Sequence, residues 1–138
     1  MKHIVDVNWK ENMAFETNMD GHQLIMDAAV ESGGDDLGVR PKKLMLASLA
    51  GCTGIDVVSI LKKMKVIPDS FRVIVEGDVT DEHPKKYYTM KVIYEFKGKD
   101  LPMAKLEKAV HLSEEKYCGV SAVYRDVVKM SSEIRVVE

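Results

Sequence analysis

Cysteine is scarce in this chain: two residues, Cys52 and Cys118, in 138. That excludes a disulfide-stapled scaffold and a zinc site built from cysteine alone. A basic excess is also missing. Twenty Lys and Arg against twenty-two Asp and Glu leave a net charge of -2, which disfavours a nucleic-acid binder that relies on phosphate attraction. No apolar run reaches the length expected of a bilayer span, so no membrane partner is expected. The opening Met1-Lys2-His3-Ile4-Val5-Asp6 lacks the apolar core of a signal peptide, so a cytoplasmic protein with reduced thiols is the expectation. Histidine is thin as well. His3, His22, His83 and His111 are scattered, and no two have metal-ligand spacing on one helix face. There is no phosphate loop, since no Gly-Lys-Ser/Thr follows Ser32-Gly33-Gly34-Asp35, and no nucleophile elbow. No metal or cofactor is expected.

What remains is an ordinary globular composition, 46% hydrophobic and 30% charged, of a length that suits one domain over residues 1–138. Apolar residues alternate in Val5-Asp6-Val7-Asn8-Trp9, and Ala14-Phe15-Glu16-Thr17 can return the chain after a turn at Asn12. A tight turn at Met19-Asp20-Gly21-His22 then precedes a third strand at Leu24-Ile25-Met26. Pro41 suits the first turn of a helix, because its missing N–H costs nothing there. From Lys42 to Lys65 no proline interrupts, and Leu44, Met45, Leu46, Leu49, Ile55, Val57, Val58, Ile60 and Leu61 cover most of the circumference. A helix apolar nearly all round is expected to be central and buried. Gly51 and Gly54 each cost about 1 kcal/mol against alanine inside a helix, so a close approach or a function is expected to compensate.

Beyond Pro68-Asp69-Ser70, Phe71, Val73 and Val75 alternate with Arg72, Ile74 and Glu76. Tyr88, Met90, Val92, Tyr94 and Phe96 then alternate with Thr89, Lys91, Ile93, Glu95 and Lys97, giving the clearest strand and a hairpin with the previous one. A helix opening at Leu101-Pro102 puts Leu106, Ala109, Val110 and Ser113 on one stripe. A short helix follows Cys118, with Val120, Val123 and Val127 at helical spacing, and a strand over 130–137 closes the chain. The order β-β-β-α-β-β-α-α-β is α+β, because strands come in runs. A central helix this apolar is hard for one small sheet to cover, which favours a homodimer.

Ser48, Cys52 and Asp56 recur every four residues, with Ser59 on the same side, so the first thiol lies on a narrow polar stripe. Its bland reading is a buried small hydrophobe. A mid-helix position offers no dipole end for a thiolate, and an ionised Asp56 nearby would raise the thiol pKa. Cys118 falls at the start of the last helix, where free N–H groups favour an anionic sulfur. The competing reading for Cys118 is a simple cap.

The run Arg40-Pro41-Lys42-Lys43-Leu44-Met45-Leu46-Ala47-Ser48-Leu49-Ala50-Gly51-Cys52-Thr53-Gly54-Ile55-Asp56-Val57-Val58 resembles the first cysteine helix of the OsmC/Ohr family. Glu114-Glu115-Lys116-Tyr117-Cys118-Gly119-Val120-Ser121-Ala122 resembles its second cysteine motif, and Glu82-His83-Pro84-Lys85 and Phe96-Lys97-Gly98-Lys99-Asp100-Leu101 resemble the linking region. The resemblance implies an α+β intertwined homodimer, antiparallel sheets wrapped around long central helices, with each site at the subunit interface. It also implies thiol-dependent reduction of organic hydroperoxides. Cys52 would be the attacking thiolate, Cys118 would close a disulfide with the resulting sulfenic acid, and an external dithiol would restore both. The alternative is a relative that binds a small apolar ligand or senses redox state without efficient turnover. The chain departs from the peroxidase pattern in two places. Lys42 and Lys43 stand where the family has a glutamate, and Trp9-Lys10-Glu11-Asn12-Met13 has no arginine. Lys10 and Arg40 are the candidate cations for the thiolate.

Overall fold

A computed structural model describes all residues from Met1 to Glu138. Met1–Met45 and Leu46–Glu138 each form a compact unit. In the first, β1 (Asn8–Glu11), β2 (Ala14–Met19) and β3 (His22–Met26) make an antiparallel meander in that order. The turns are where the sequence places them. Asn12, Asp20 and Gly21 take positive φ (49°, 52° and 82°), which short polar residues and glycine tolerate best. Asp27 then organises the loop beyond β3. Its carboxylate accepts the backbone N–H groups of Ala28, Asp35 and Leu37 at 2.7, 3.2 and 3.0 Å. The Leu37 bond foremost holds that carboxyl below its usual range.

In the second unit, β4 (Ser70–Val79), β5 (Tyr87–Lys97) and β6 (Lys129–Val137) form a sheet in the order β4-β5-β6. Three helices accompany it: α1 (Leu44–Lys63, entered from the first unit), α2 (Met103–Leu112) and α3 (Gly119–Tyr124). The element order is the one expected, and the class is α+β. The expectation of antiparallel sheets holds for β1/β2, β2/β3 and β4/β5 but not for β5/β6, which is parallel. The long connection through α2 and α3 makes that crossover possible, where a tight hairpin could not.

The core of this unit is one cluster. Leu49, Val57 and Leu61 of α1 join Met90, Val92, Tyr94 and Phe96 of β5, Leu106, Ala109 and Val110 of α2, and Cys118. The β5 alternation and the α2 stripe are thus buried as expected, with two exceptions on β5: Ile93, among the alternate neighbours, is buried as well, and the strand's first residues are inverted. Tyr88 is exposed and Tyr87 buried, because the register slips between Asp78 and Val79 and turns the strand end over. Val123 and Val127 do not face the core either; α3 ends at Tyr124, and both are exposed.

The long helix departs from expectation in three ways. First, the segment Pro41–Lys63 is long and apolar enough to cross a membrane by length and composition, with an 18-residue window of mean hydropathy 1.9 inside it. Counting uninterrupted apolar residues misses it, because Ser, Thr and Gly dilute a stretch whose only charge between Leu44 and Leu61 is Asp56. Second, the helix is not buried all round. Leu49, Thr53, Val57 and Leu61 face the core, whereas Ile55 is 73% and Val58 52% exposed. Third, the close approach expected at its glycines is not made within the chain. A Cβ on Gly51 would meet nothing within 4 Å, and one on Gly54 would make an ordinary contact with Val73 at 3.4 Å.

Leu106 is fully buried in this cluster. Leu106→Ala is expected to destabilise the protein by about 2–5 kcal/mol in urea unfolding. Val123→Ala, at an exposed site, should stay within about 0.5 kcal/mol.

Candidate functional site: a thiol pair on a buried hydroxyl chain

Cys52 and Asp56 lie one turn apart on α1, so sulfur and carboxylate share a face. Both are half-buried, while Ser48 and Ser59, the ends of the same polar stripe, are exposed. Cys118 comes to this face by a backbone device. Residues Ser113–Tyr117 continue α2 as a π-helical turn, closed by the Cys118 N–H donating to the Ser113 carbonyl at 2.8 Å. A turn widened by one residue re-aims everything after it by about 100°, and such turns recur at functional sites. Cys118 then caps α3. Its backbone is extended (φ -76°, ψ 104°), and its Sγ accepts the Ser121 N–H at 3.4 Å.

The result is a cluster within Leu46–Glu138. A sulfur of Cys52, a sulfur of Cys118 and a carboxylate oxygen of Asp56 all lie within 4.8 Å of one another. Both thiols are free. The two cysteines, 66 positions apart in sequence, are therefore brought together as the sequence resemblance implies. The capping reading of Cys118 holds as well, since it caps and faces Cys52 at once.

Beneath the cluster runs a chain of hydroxyls. Asp56 Oδ2 accepts from Ser113 Oγ at 2.9 Å; Ser113 Oγ and Thr53 Oγ1 are 2.7 Å apart; Thr53 Oγ1 and the Tyr94 hydroxyl are 2.8 Å apart. Each hydroxyl has one proton, and an ionised carboxylate only accepts. Ser113 therefore gives its proton to Asp56, while in the Ser113–Thr53 and Thr53–Tyr94 pairs either hydroxyl can be the donor. The Tyr94 hydroxyl also meets Glu114, whose carboxylate accepts from Ser132 Oγ at 3.3 Å. Thr53, Ser113 and Tyr94 are fully buried, yet no buried side-chain polar atom lacks a partner. Burial pushes the Tyr94 hydroxyl well above its ordinary pKa and raises that of Glu114 too.

These residues were the ones sequence reasoning missed. Ser113 appears on the apolar stripe of α2, and a serine on a buried stripe must find a partner. Nothing in the sequence says that the partner is Thr53.

The electrostatics do not favour a thiolate at Cys52. Burial raises its pKa first, then the hydrogen bond and charge of Cys118 and the charge of Asp56; the Val120 N–H pulls the other way. Neither candidate cation of the first unit is idle. Lys10 pairs with Glu16 at 3.0 Å, and Arg40 pairs with Asp36 at 2.7 Å while donating to the Gly38 carbonyl. Asp56 has no ion pair, only Ser113.

Residues 33–133 match the family model described as OsmC-like protein. The chain belongs to the OsmC family. Protein YhfA of Escherichia coli strain K12 is 33% identical over 132 residues, covering 95% of this chain and 96% of that protein. A solved structure of a protein from Aquifex aeolicus VF5 is 29% identical, with a TM-score of 0.82 and full coverage of both chains. An organic hydroperoxide resistance protein OsmC from Legionella pneumophila superposes at a TM-score of 0.68 over 99% of this chain and 98% of its own, at 20% identity, and so shares the fold.

Asp56→Asn removes a negative charge beside Cys52 and keeps the shape. Because that charge raises the thiol pKa, the variant is expected to ionise at lower pH. The rate of Cys52 alkylation by iodoacetamide against pH, in Cys118→Ser protein with a chelator present, reads this directly. A midpoint that does not move would show that Asp56 does not act on the thiol.

Proposed function

We propose that the protein is a thiol-dependent peroxidase that reduces organic hydroperoxides through Cys52 and Cys118. The observation that supports this most is the meeting of the two sulfurs within 4.8 Å on separate elements of an OsmC-family chain. In the first step the Cys52 thiolate attacks the distal peroxide oxygen. The O–O bond breaks, the alkoxide leaves and takes up the proton that the Cys52 thiol gave up on ionising, and Cys52 becomes a sulfenic acid. In the second the Cys118 sulfur displaces hydroxide from that sulfenic acid, and its own proton completes the water. An S–S bond of about 2.05 Å needs the sulfurs to close in by side-chain rotation. An external dithiol then returns both thiols by exchange.

Addition of stoichiometric cumene hydroperoxide is expected to consume both thiols and to give an intramolecular Cys52-Cys118 disulfide by mass spectrometry. Cys52→Ser should abolish peroxide consumption. Cys118→Ser should trap a sulfenic or over-oxidised Cys52. Thiols that survive the peroxide would overturn the reading. They would favour the second one, an OsmC-like binder of small apolar ligands or a redox sensor without efficient turnover. One observation speaks for that alternative: the groups around Cys52 raise its pKa on balance, against what a fast nucleophile requires.

A homodimer in the cytoplasm is part of the proposal. The exposed side of α1 supports it: Gly51, Ile55, Val58 and Ser59 line a groove with Phe71 and Val73 of β4, and β4 is an edge strand. A second copy would explain both the open space at Gly51 and an apolar helix left half-covered. Light scattering at micromolar concentration should give twice the 15.5 kDa chain mass, and Ile55→Asp should give the monomer. A wild-type monomer would remove the dimer from the proposal.

A further inference from the structure

The cluster at the end of the hydroxyl chain has the donor chemistry of a metal site, and this stands whether or not the protein reduces peroxides. Three potential ligand atoms, two sulfurs and one carboxylate oxygen, converge within 4.8 Å. In a tetrahedral zinc site, bonds of about 2.3 Å to sulfur and 2.0–2.2 Å to oxygen put ligand atoms somewhat less than 4 Å apart. Modest side-chain rotation closes that gap. Cys118 is buried and comes from a capped helix start; Cys52 and Asp56 are half-buried on one helix face. Access is therefore open on one side.

The surroundings also match what holds ligands in place. A ligating carboxylate is normally oriented by a hydrogen bond from outside the coordination sphere. Ser113 gives Asp56 that bond at 2.9 Å, and Ser113 is itself fixed by buried Thr53. The Cys118 sulfur accepts the backbone N–H of Ser121 at 3.4 Å. Such bonds stabilise sulfur when it is anionic, the form in which it ligates. Within Leu46–Glu138 no lysine, arginine or histidine forms an ion pair with Asp56.

We propose that the reduced protein binds one divalent, thiophilic transition-metal ion, of the zinc class, through Cys52, Asp56 and Cys118. Two soft thiolates with one carboxylate select zinc over magnesium or calcium. Three protein ligands leave the fourth tetrahedral position to water. Binding releases two protons, one from each thiol, and changes no oxidation state. It excludes the Cys52-Cys118 disulfide, because both uses require the same two sulfurs. Neither histidine spacing nor a count of cysteines reveals such a mixed set; the four-residue interval from Cys52 to Asp56 is its only trace in the sequence.

The test uses the full chain, reduced and treated with chelator, titrated anaerobically with Co2+ and then with Zn2+. Expected are a thiolate-to-cobalt charge-transfer band and intense tetrahedral d–d bands that saturate at one equivalent per chain. Zn2+ should abolish them and protect both thiols from a disulfide reagent. Cys52→Ser or Cys118→Ser should remove most of the charge-transfer intensity. Asp56→Asn should weaken binding at least tenfold, and Ser113→Ala by about 10–100-fold through the lost carboxylate bond. Circular dichroism of each variant separates loss of the site from loss of the fold. Absence of the charge-transfer band in the reduced wild-type protein would overturn the proposal. So would binding as tight in folded Asp56→Asn or Cys118→Ser as in the wild type. The peroxide assay reads a different property, so its failure leaves this result standing, and the reverse holds too.

Discussion

The buried hydrogen bond between Thr53 and Ser113, 2.7 Å long, ties the helix that bears one thiol to the turn that delivers the other. The candidate site is built around that tie. Together with the Ser113–Asp56 bond and the burial of Cys118 in the core, it seats the π-helical turn on α1 and holds Cys118 beside Cys52. The bond is strong for its setting, since water does not compete there, and it is demanding for the same reason. A buried hydroxyl left unpaired costs about 1–3 kcal/mol. The chain Tyr94, Thr53, Ser113, Asp56 leaves no buried side-chain polar atom unpaired and ends with Ser113 donating to the Asp56 carboxylate beside the two sulfurs.

The same logic explains why the fold was largely legible in the sequence and the site only half so. Elements that rest on periodicity were readable from local pattern: the β5 alternation from Met90 to Phe96, the α2 stripe through Leu106 and Val110, the turns at Asn12 and Asp20-Gly21. Each depends on residues within a few positions of one another. Where a long-range pairing decides, the pattern was silent. The parallel partnership of β5 with β6 depends on a crossover of two helices, and the strand alternation is the same for either direction. Tyr88 failed because a one-residue slip at Asp78 and Val79 inverts faces, and no residue there announces it.

At the site, the resemblance pointed to both cysteines, and the four-residue interval pointed to Asp56. The hydroxyl chain was invisible, because Thr53, Tyr94 and Ser113 sit on three elements and are linked only in space. The long helix misled for a different reason. Its apolar circumference reads as complete burial, but a single chain supplies cover for one side only. Ile55 and Val58 stay exposed on the other side, which the apolar pattern alone does not announce.

Charge is where the architecture and the chemistry pull apart. A nucleophilic thiolate needs a positive neighbour or generous donors, and Cys52 has one backbone N–H against burial, a second thiol and a carboxylate. Lys10 and Arg40, the cations that sequence reasoning offered, are engaged with Glu16 and Asp36 in the first unit. Two kinds of positive charge could complete such a site: a side chain contributed by a second copy, or a metal ion. The first lowers the pKa of one sulfur and leaves the other free to resolve it. The second deprotonates both sulfurs and occupies them. A site of two thiols and one carboxylate would therefore take its chemistry from its cation: a side chain from a second copy would leave one sulfur a nucleophile, whereas a metal ion would make ligands of both.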